Sequence, residues 1–136
     1  MRGIMATLDE IKQRLAELGL EKEYRFRREL RLLPDIFESG EHMRAVTSGV
    51  YEGLRRLVVL TEERLLVLQK PTLGKPNLLY VPRGEITGVE ARNGLLFAVL
   101  TVHTTAGPFV FHNTAKKSVG FFLRALGDLG AQGESH

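Results

Sequence analysis

The sequence predicts an α+β fold that is mainly β: two short helices, then seven antiparallel strands, then one amphipathic helix. Three observations carry this. Residues 1–39 space their apolar groups as helices do. From Glu41 the apolar period changes to two. After Asn113 it returns to the helical spacing.

Thr7-Leu8-Asp9-Glu10 is a capping-box pattern, with Thr7 as the cap and Glu10 reaching back. Leu8, Ile11, Leu15 and Leu18 follow on one helical face, and Gly19 ends the element. Such a helix packs on a neighbour or docks on a partner. A second helix is expected over Glu21–Leu33, with Tyr24, Leu30 and Leu33 on its apolar side. Its arginines (Arg25, Arg27, Arg28, Arg31) alternate with Glu21, Glu23 and Glu29, and Glu21 and Arg25 lie four apart. Interleaved signs read as a solvated face laced with ion pairs rather than a phosphate site. Pro34 is expected to end the helix, because the residue before proline avoids the α region. Composition changes at Ser39-Gly40. The expected division is a helical segment at 1–39, a sheet domain at 40–130 and a disordered tail at 131–136.

The strands are expected at His42–Tyr51, Arg55–Thr61, Arg64–Lys70, Leu78–Val81, Glu85–Ala91, Leu95–Thr104 and Phe109–Asn113. Leu57–Leu60 and Leu65–Leu68 flank the Thr61–Arg64 turn and make the best-determined hairpin. Asn93-Gly94 predicts a tight type I′ turn, since both residues tolerate positive φ. In the sixth strand Leu96, Ala98, Leu100 and Val102 share one face, and Phe97, Val99, Thr101 and His103 the other. The second face is apolar enough to need a cover, either the N-terminal helices or a second subunit. In the last helix Thr114 is the expected cap, and Val119, Phe122, Leu123 and Leu126 form the apolar stripe. Gly127 and Gly130 mark its end.

Composition sets limits on chemistry. The 136 residues suit one domain with an appendage, and 43% apolar content is enough for one core. There is no cysteine, which removes disulfides, thiolate metal sites and cysteine nucleophiles, and fits a reducing cytoplasm. No apolar run approaches the roughly 18–20 residues of a membrane span. No hydrophobic region follows Met1–Met5, so a secretory signal is not expected, and Met5 is an alternative start. Net charge is +3; residues 1–40 balance at 8 basic and 8 acidic, so residues 41–136, with 11 against 8, hold the excess. That excess is spread too thinly for a committed nucleic-acid binder.

Catalytic and metal signatures are missing. Neither glycine-rich phosphate-loop pattern occurs. His42, His103, His112 and His136 have no helical i, i+4 spacing, and His103 and His112 could meet only across the last two strands. Ser48, His103 and Asp128 make a nominal triad, but no strained elbow presents the serine. The chain is therefore expected to be non-catalytic, with no cofactor and no metal.

Seven short antiparallel strands followed by one helix resemble a pleckstrin-homology-like (PH-like) barrel. The similarity is to the bacterial PH-like group and its YokE-like branch. It rests on Leu32–Ile36, the Thr61–Arg64 turn with its apolar flanks, and Asn113–Leu126. The resemblance covers about residues 34–129 and implies a seven-stranded antiparallel barrel capped by a C-terminal helix. Eukaryotic members carry a tryptophan in that helix; here there is none, and Phe121 or Phe122 would fill the space. The resemblance also implies a candidate mouth, formed by the loops at Tyr51–Leu54, Pro71–Pro76 and Thr104–Pro108. Its candidate ligand-binding residues are Arg44, Arg55, Arg56, Lys70 and Lys75. Adjacent Arg55 and Arg56 must point to opposite faces, and Glu52 interrupts the first loop. The plainer reading is that these charges blunt strand ends.

The expected function is a binding or scaffolding module that contacts protein, including itself as a homo-oligomer. The alternative is peripheral contact with anionic phosphate or membrane headgroups at the mouth. Single-stranded nucleic acid ranks last; it would need exposed aromatics such as Tyr51 and Tyr80 among basic residues.

Overall fold

The computed structural model describes residues 7–24 and 27–127. Arg25, Asp128, Gly130, His136, the 131–136 tail and both candidate start methionines lie outside the described residues. Helix α1 spans Leu8–Glu17. Both arms of its capping box form: Glu10 N–H donates to Thr7 Oγ1 at 3.2 Å, and Thr7 N–H to Glu10 Oε1 at 2.8 Å. The second predicted helix is broken into pieces. Helix α2 is Glu21–Tyr24, a 3-10 turn follows at Arg28–Leu32, and helix α3 is Leu33–Ile36. Pro34 starts that last turn instead of ending a helix. In a first turn its missing N–H removes no hydrogen bond.

Strands β1 (Met43–Tyr51), β2 (Leu54–Thr61), β3 (Arg64–Gln69), β4 (Asn77–Pro82), β5 (Ile86–Asn93), β6 (Ala98–Thr104) and β7 (Gly107–Thr114) form one antiparallel sheet. Their order is β4-β3-β2-β1-β7-β6-β5, so β4 and β5 are its two edges. The seam between β1 and β7 pairs Val50 with His112. A side chain at Gly49 would meet Phe111 Cβ and Thr114 Cγ2, each at 2.9 Å, so only glycine lets the strands approach there.

Alternation feeds two cores. On β2 and β3, Val58, Leu60, Leu65 and Val67 point into the curled sheet with Leu100, Val102 and Phe111. Leu57, Val59, Leu66 and Leu68 point outward and are buried under Ile11, Leu15, Leu20, Tyr24, Leu30 and Leu33. The N-terminal helices therefore cover β1–β3 of their own chain. They do not cover β6, whose outer residues Val99, Thr101 and His103 stay half exposed. Two buried carboxylates tie this layer down. Glu29 accepts Lys70 N–H at 2.8 Å. Glu41 accepts Arg64 at 2.9 and 3.0 Å, while Arg64 also donates to the Ile36 carbonyl at 2.7 Å.

Helix α4 (Lys116–Ala125) closes one end of the sheet with Val119, Phe122 and Leu126, and Phe122 is fully buried. Its stripe is rotated from the predicted one: Leu123 is exposed, and Phe121 and Ala125 flank the core. Buried Ser118 sets this angle, since its Oγ lies 2.6 Å from Thr47 Oγ1 and accepts Tyr24 O–H at 3.3 Å. Thr114 does not cap α4. It ends β7, and its hydroxyl donates to the Ala98 carbonyl at 2.7 Å; Ala115 occupies the cap position.

The Asn93-Gly94 turn also differs from expectation. Asn93 pairs with Ala98, and Gly94 N–H donates to the Phe97 carbonyl at 2.7 Å, so Leu95–Phe97 is loop rather than strand. A register shifted by an even number of residues keeps every side chain on its face, so alternation could not distinguish the two.

Candidate functional site

The end of the sheet near the β1–β2 turn is filled by side chains. Tyr51 stacks on Phe109 with ring centroids 5.5 Å apart and leans on Phe111 at 5.6 Å. Arg56 points to this inner side. Its Nε donates to the Tyr51 carbonyl at 3.0 Å, and its guanidinium lies 5.3 Å from the centre of the Tyr51 ring. Burial, followed by the Glu52 charge, pushes the Tyr51 hydroxyl above its ordinary pKa despite Arg56. Arg55 points outward and donates to Ser48 Oγ at 3.0 Å and to the Asn113 carbonyl at 3.3 Å. Lys70 is half buried, with its ammonium 3.4 Å from the Pro71 carbonyl, and Lys75 is exposed in the β3–β4 loop. Arg44 sits at the opposite end of β1, 3.7 Å from Glu62 in an ion pair. Among the five candidates, the register puts Arg55, Arg56, Lys70 and Lys75 at one end, on different faces, and sets Arg44 apart.

A second surface emerges only in three dimensions. Leu78, Leu79 and Tyr80 of edge strand β4 are all exposed, with Tyr80 at 58%, and Leu73 in the loop before them is 86% exposed. Register explains the exposure of Leu78 and Tyr80, which share the outer face. Tyr80 pairs with Leu66, and Leu78 with Leu68. Helices bury the β3 partners but stop short of β4. Arg64 reaches across to lie 5.7 Å from the Tyr80 ring centre. Among the described residues the other flank of β4 has no ladder partner. An apolar run beside unpaired backbone groups is a template for another strand.

The model of the bacterial PH domain family matches residues 37–128. The chain belongs to that family. None of the curated proteins compared with it matches the chain. The PH match begins at Phe37, immediately after α3, so the covering helices precede the matched segment.

Within this PH domain the histidines sit apart. His42 approaches Glu62 at 3.1 Å, and His103 approaches Glu90 at 3.7 Å. His103 pairs across strands with Pro108, not with His112. Among the described residues no three His, Asp or Glu side chains gather as a metal would need. Ser48 accepts from Arg55, and its nominal triad partner Asp128 lies outside the described residues. Burial pushes the Glu62 carboxyl up, but bonds from backbone N–H groups and His42, with the Arg44 charge, outweigh it and hold the pKa low. The fold thus leaves apolar side chains of β4 exposed, and holds Arg44, Arg55, Arg56 and Lys70 on carboxylate, hydroxyl or carbonyl oxygens. Sequence reasoning missed the β4 surface, although Pro82 within the Asn77–Pro82 run is a signal of an edge strand; reading that proline only as the end of the strand leaves the signal unused.

Proposed function

We propose that this bacterial PH domain is a non-catalytic binding module that associates through β4, with a second copy of the chain as its partner. The observation that supports this is the bare β4 edge carrying Leu78, Leu79 and Tyr80. Antiparallel pairing of β4 with its counterpart about a two-fold axis would continue the sheet across the dimer. It would also cover apolar groups on both faces. No charged residue interrupts Asn77–Pro82. The same pattern of strands and turns favours the YokE-like branch of the family.

Sedimentation equilibrium over a range of concentrations tests this. The native chain is expected to dimerise, and the paired change Leu78→Lys, Tyr80→Lys to give a folded monomer. A native chain that stays monomeric at high concentration would sink self-association and leave β4 to a strand from a different protein. Phosphate binding at the mouth through Arg55, Lys70 and Lys75 has less support, because Tyr51, Phe109, Phe111 and Arg56 fill the space between those loops. Base stacking also has less support, since Tyr51 is stacked on Phe109 and the exposed aromatics among the described residues, Tyr80 and Phe97, lie on separate elements, β4 and the β5–β6 loop.

A further inference from the structure

The β5–β6 loop presents three large apolar side chains to solvent: Leu95 is 92% exposed, Leu96 75% and Phe97 49%. The loop is held in place from both sides. Gly94 N–H closes it on the Phe97 carbonyl at 2.7 Å, and Lys116 Nζ donates to the Leu95 carbonyl at 3.0 Å. Cations collar its base. Arg92 lines the groove of about 430 Å³ behind the tip, together with Asn113, whose carbonyl holds Arg55. Among the described residues no carboxylate lines that groove. Lys116 opens α4, whose first turn contains no acidic residue.

We infer that this loop docks the protein on an anionic membrane surface. Leu95 and Leu96 enter the headgroup–acyl boundary, and Arg92, Lys116 and Arg55 meet lipid phosphates behind them. An apolar tip with a cationic collar matches the two layers of a bilayer surface, apolar inside and anionic outside. A second copy is the poorer occupant, because tip-to-tip contact would bring two cationic collars together. The inference uses a different surface from β4 and stands whether or not the chain dimerises.

The test is flotation of the full chain with phosphatidylcholine vesicles, with and without phosphatidylserine. Binding is expected only with the anionic lipid. Each cation near the surface contributes about a fivefold change in partitioning, so Arg92→Gln with Lys116→Gln should weaken it by roughly 25-fold. Leu95→Ser with Leu96→Ser and Phe97→Ser should abolish it while leaving thermal unfolding within a few degrees of the native chain, since the loop is exposed. The chain has no tryptophan, so Leu96→Trp gives a single reporter whose emission should shift to the blue on anionic vesicles. Binding that is absent, equal on both vesicles, or unchanged in the serine variant would overturn the inference. So would a serine variant whose only defect is a lower oligomeric mass, which would make the loop a protein contact.

Discussion

Arg64→Met removes the charge that buried Glu41 depends on and keeps most of the aliphatic stem. Glu41's side chain is fully buried, and it accepts Arg64 at 2.9 and 3.0 Å, Thr61 Oγ1–H at 2.6 Å and Glu38 N–H at 2.8 Å. The variant loses both arginine bonds and the 2.7 Å bond to the Ile36 carbonyl that pins α3 to the β2–β3 hairpin. Leaving one partner of a buried ion pair uncompensated costs about 3–5 kcal/mol. For a domain of this size that lowers the melting temperature by roughly 10–20 °C. The pH dependence is a sharper check. In the native chain burial pushes the Glu41 carboxyl up, but bonds from Arg64, Thr61 and the Glu38 amide, with the Arg64 charge, hold it below its ordinary value of 4.5. Its contribution is therefore full above 4.5 and is lost as pH falls through the lower folded value. Without Arg64, burial dominates and the folded pKa rises. The penalty is then largest at neutral pH and relaxes as acid protonates the carboxyl. Urea unfolding of both proteins at several pH values should show the stability gap narrowing on acidification. A loss below about 1 kcal/mol, or a gap that does not change with pH, would refute the argument.

Two further substitutions test the fold, alongside the β4 and loop variants above. Gly49→Ala forces a methyl against Phe111 and Thr114 at the β1–β7 seam. It should cost about 1–3 kcal/mol by urea unfolding, and an unchanged midpoint would mean that the strands separate freely. Ser118→Ala removes the hydroxyl shared by Tyr24, Thr47 and the Ala115 carbonyl. A loss of about 1–3 kcal/mol is expected. Amide exchange should then rise in both α2 and α4, because one oxygen bridges the N-terminal helices to the last one.

Local signals in the chain were read where the physics is local. The Thr7–Glu10 box acts within one turn. The Leu57–Leu60 and Leu65–Leu68 runs pair as expected because a tight turn fixes their register. Val119, Phe122 and Leu126 follow the helical period into the core. The errors share one cause, competition from residues far along the chain. Thr114 could have capped α4, but its hydroxyl found the Ala98 carbonyl across the sheet. The helix expected through Leu33 broke to fit the outer faces of β1–β3. Leu95–Phe97 alternated well enough to pass for strand, yet the pairing of Asn93 with Ala98 left them at a loop tip. Of the basic candidates, alternation separated Arg55 from Arg56, but only the fold put Arg56 on Tyr51 and Arg44 beside Glu62.

By itself, then, the sequence determined the first helix, the seven-strand order, the β2–β3 hairpin and most of the apolar side of the last helix, because these follow from neighbours within a turn or a pleat. Which apolar faces stay open was decided by the tertiary structure. Leu66 and Tyr80 share a register position, and one is buried while the other is bare only because the helical layer stops between them. Exposure depends on what packs from a distance, and no local pattern encodes where that cover ends.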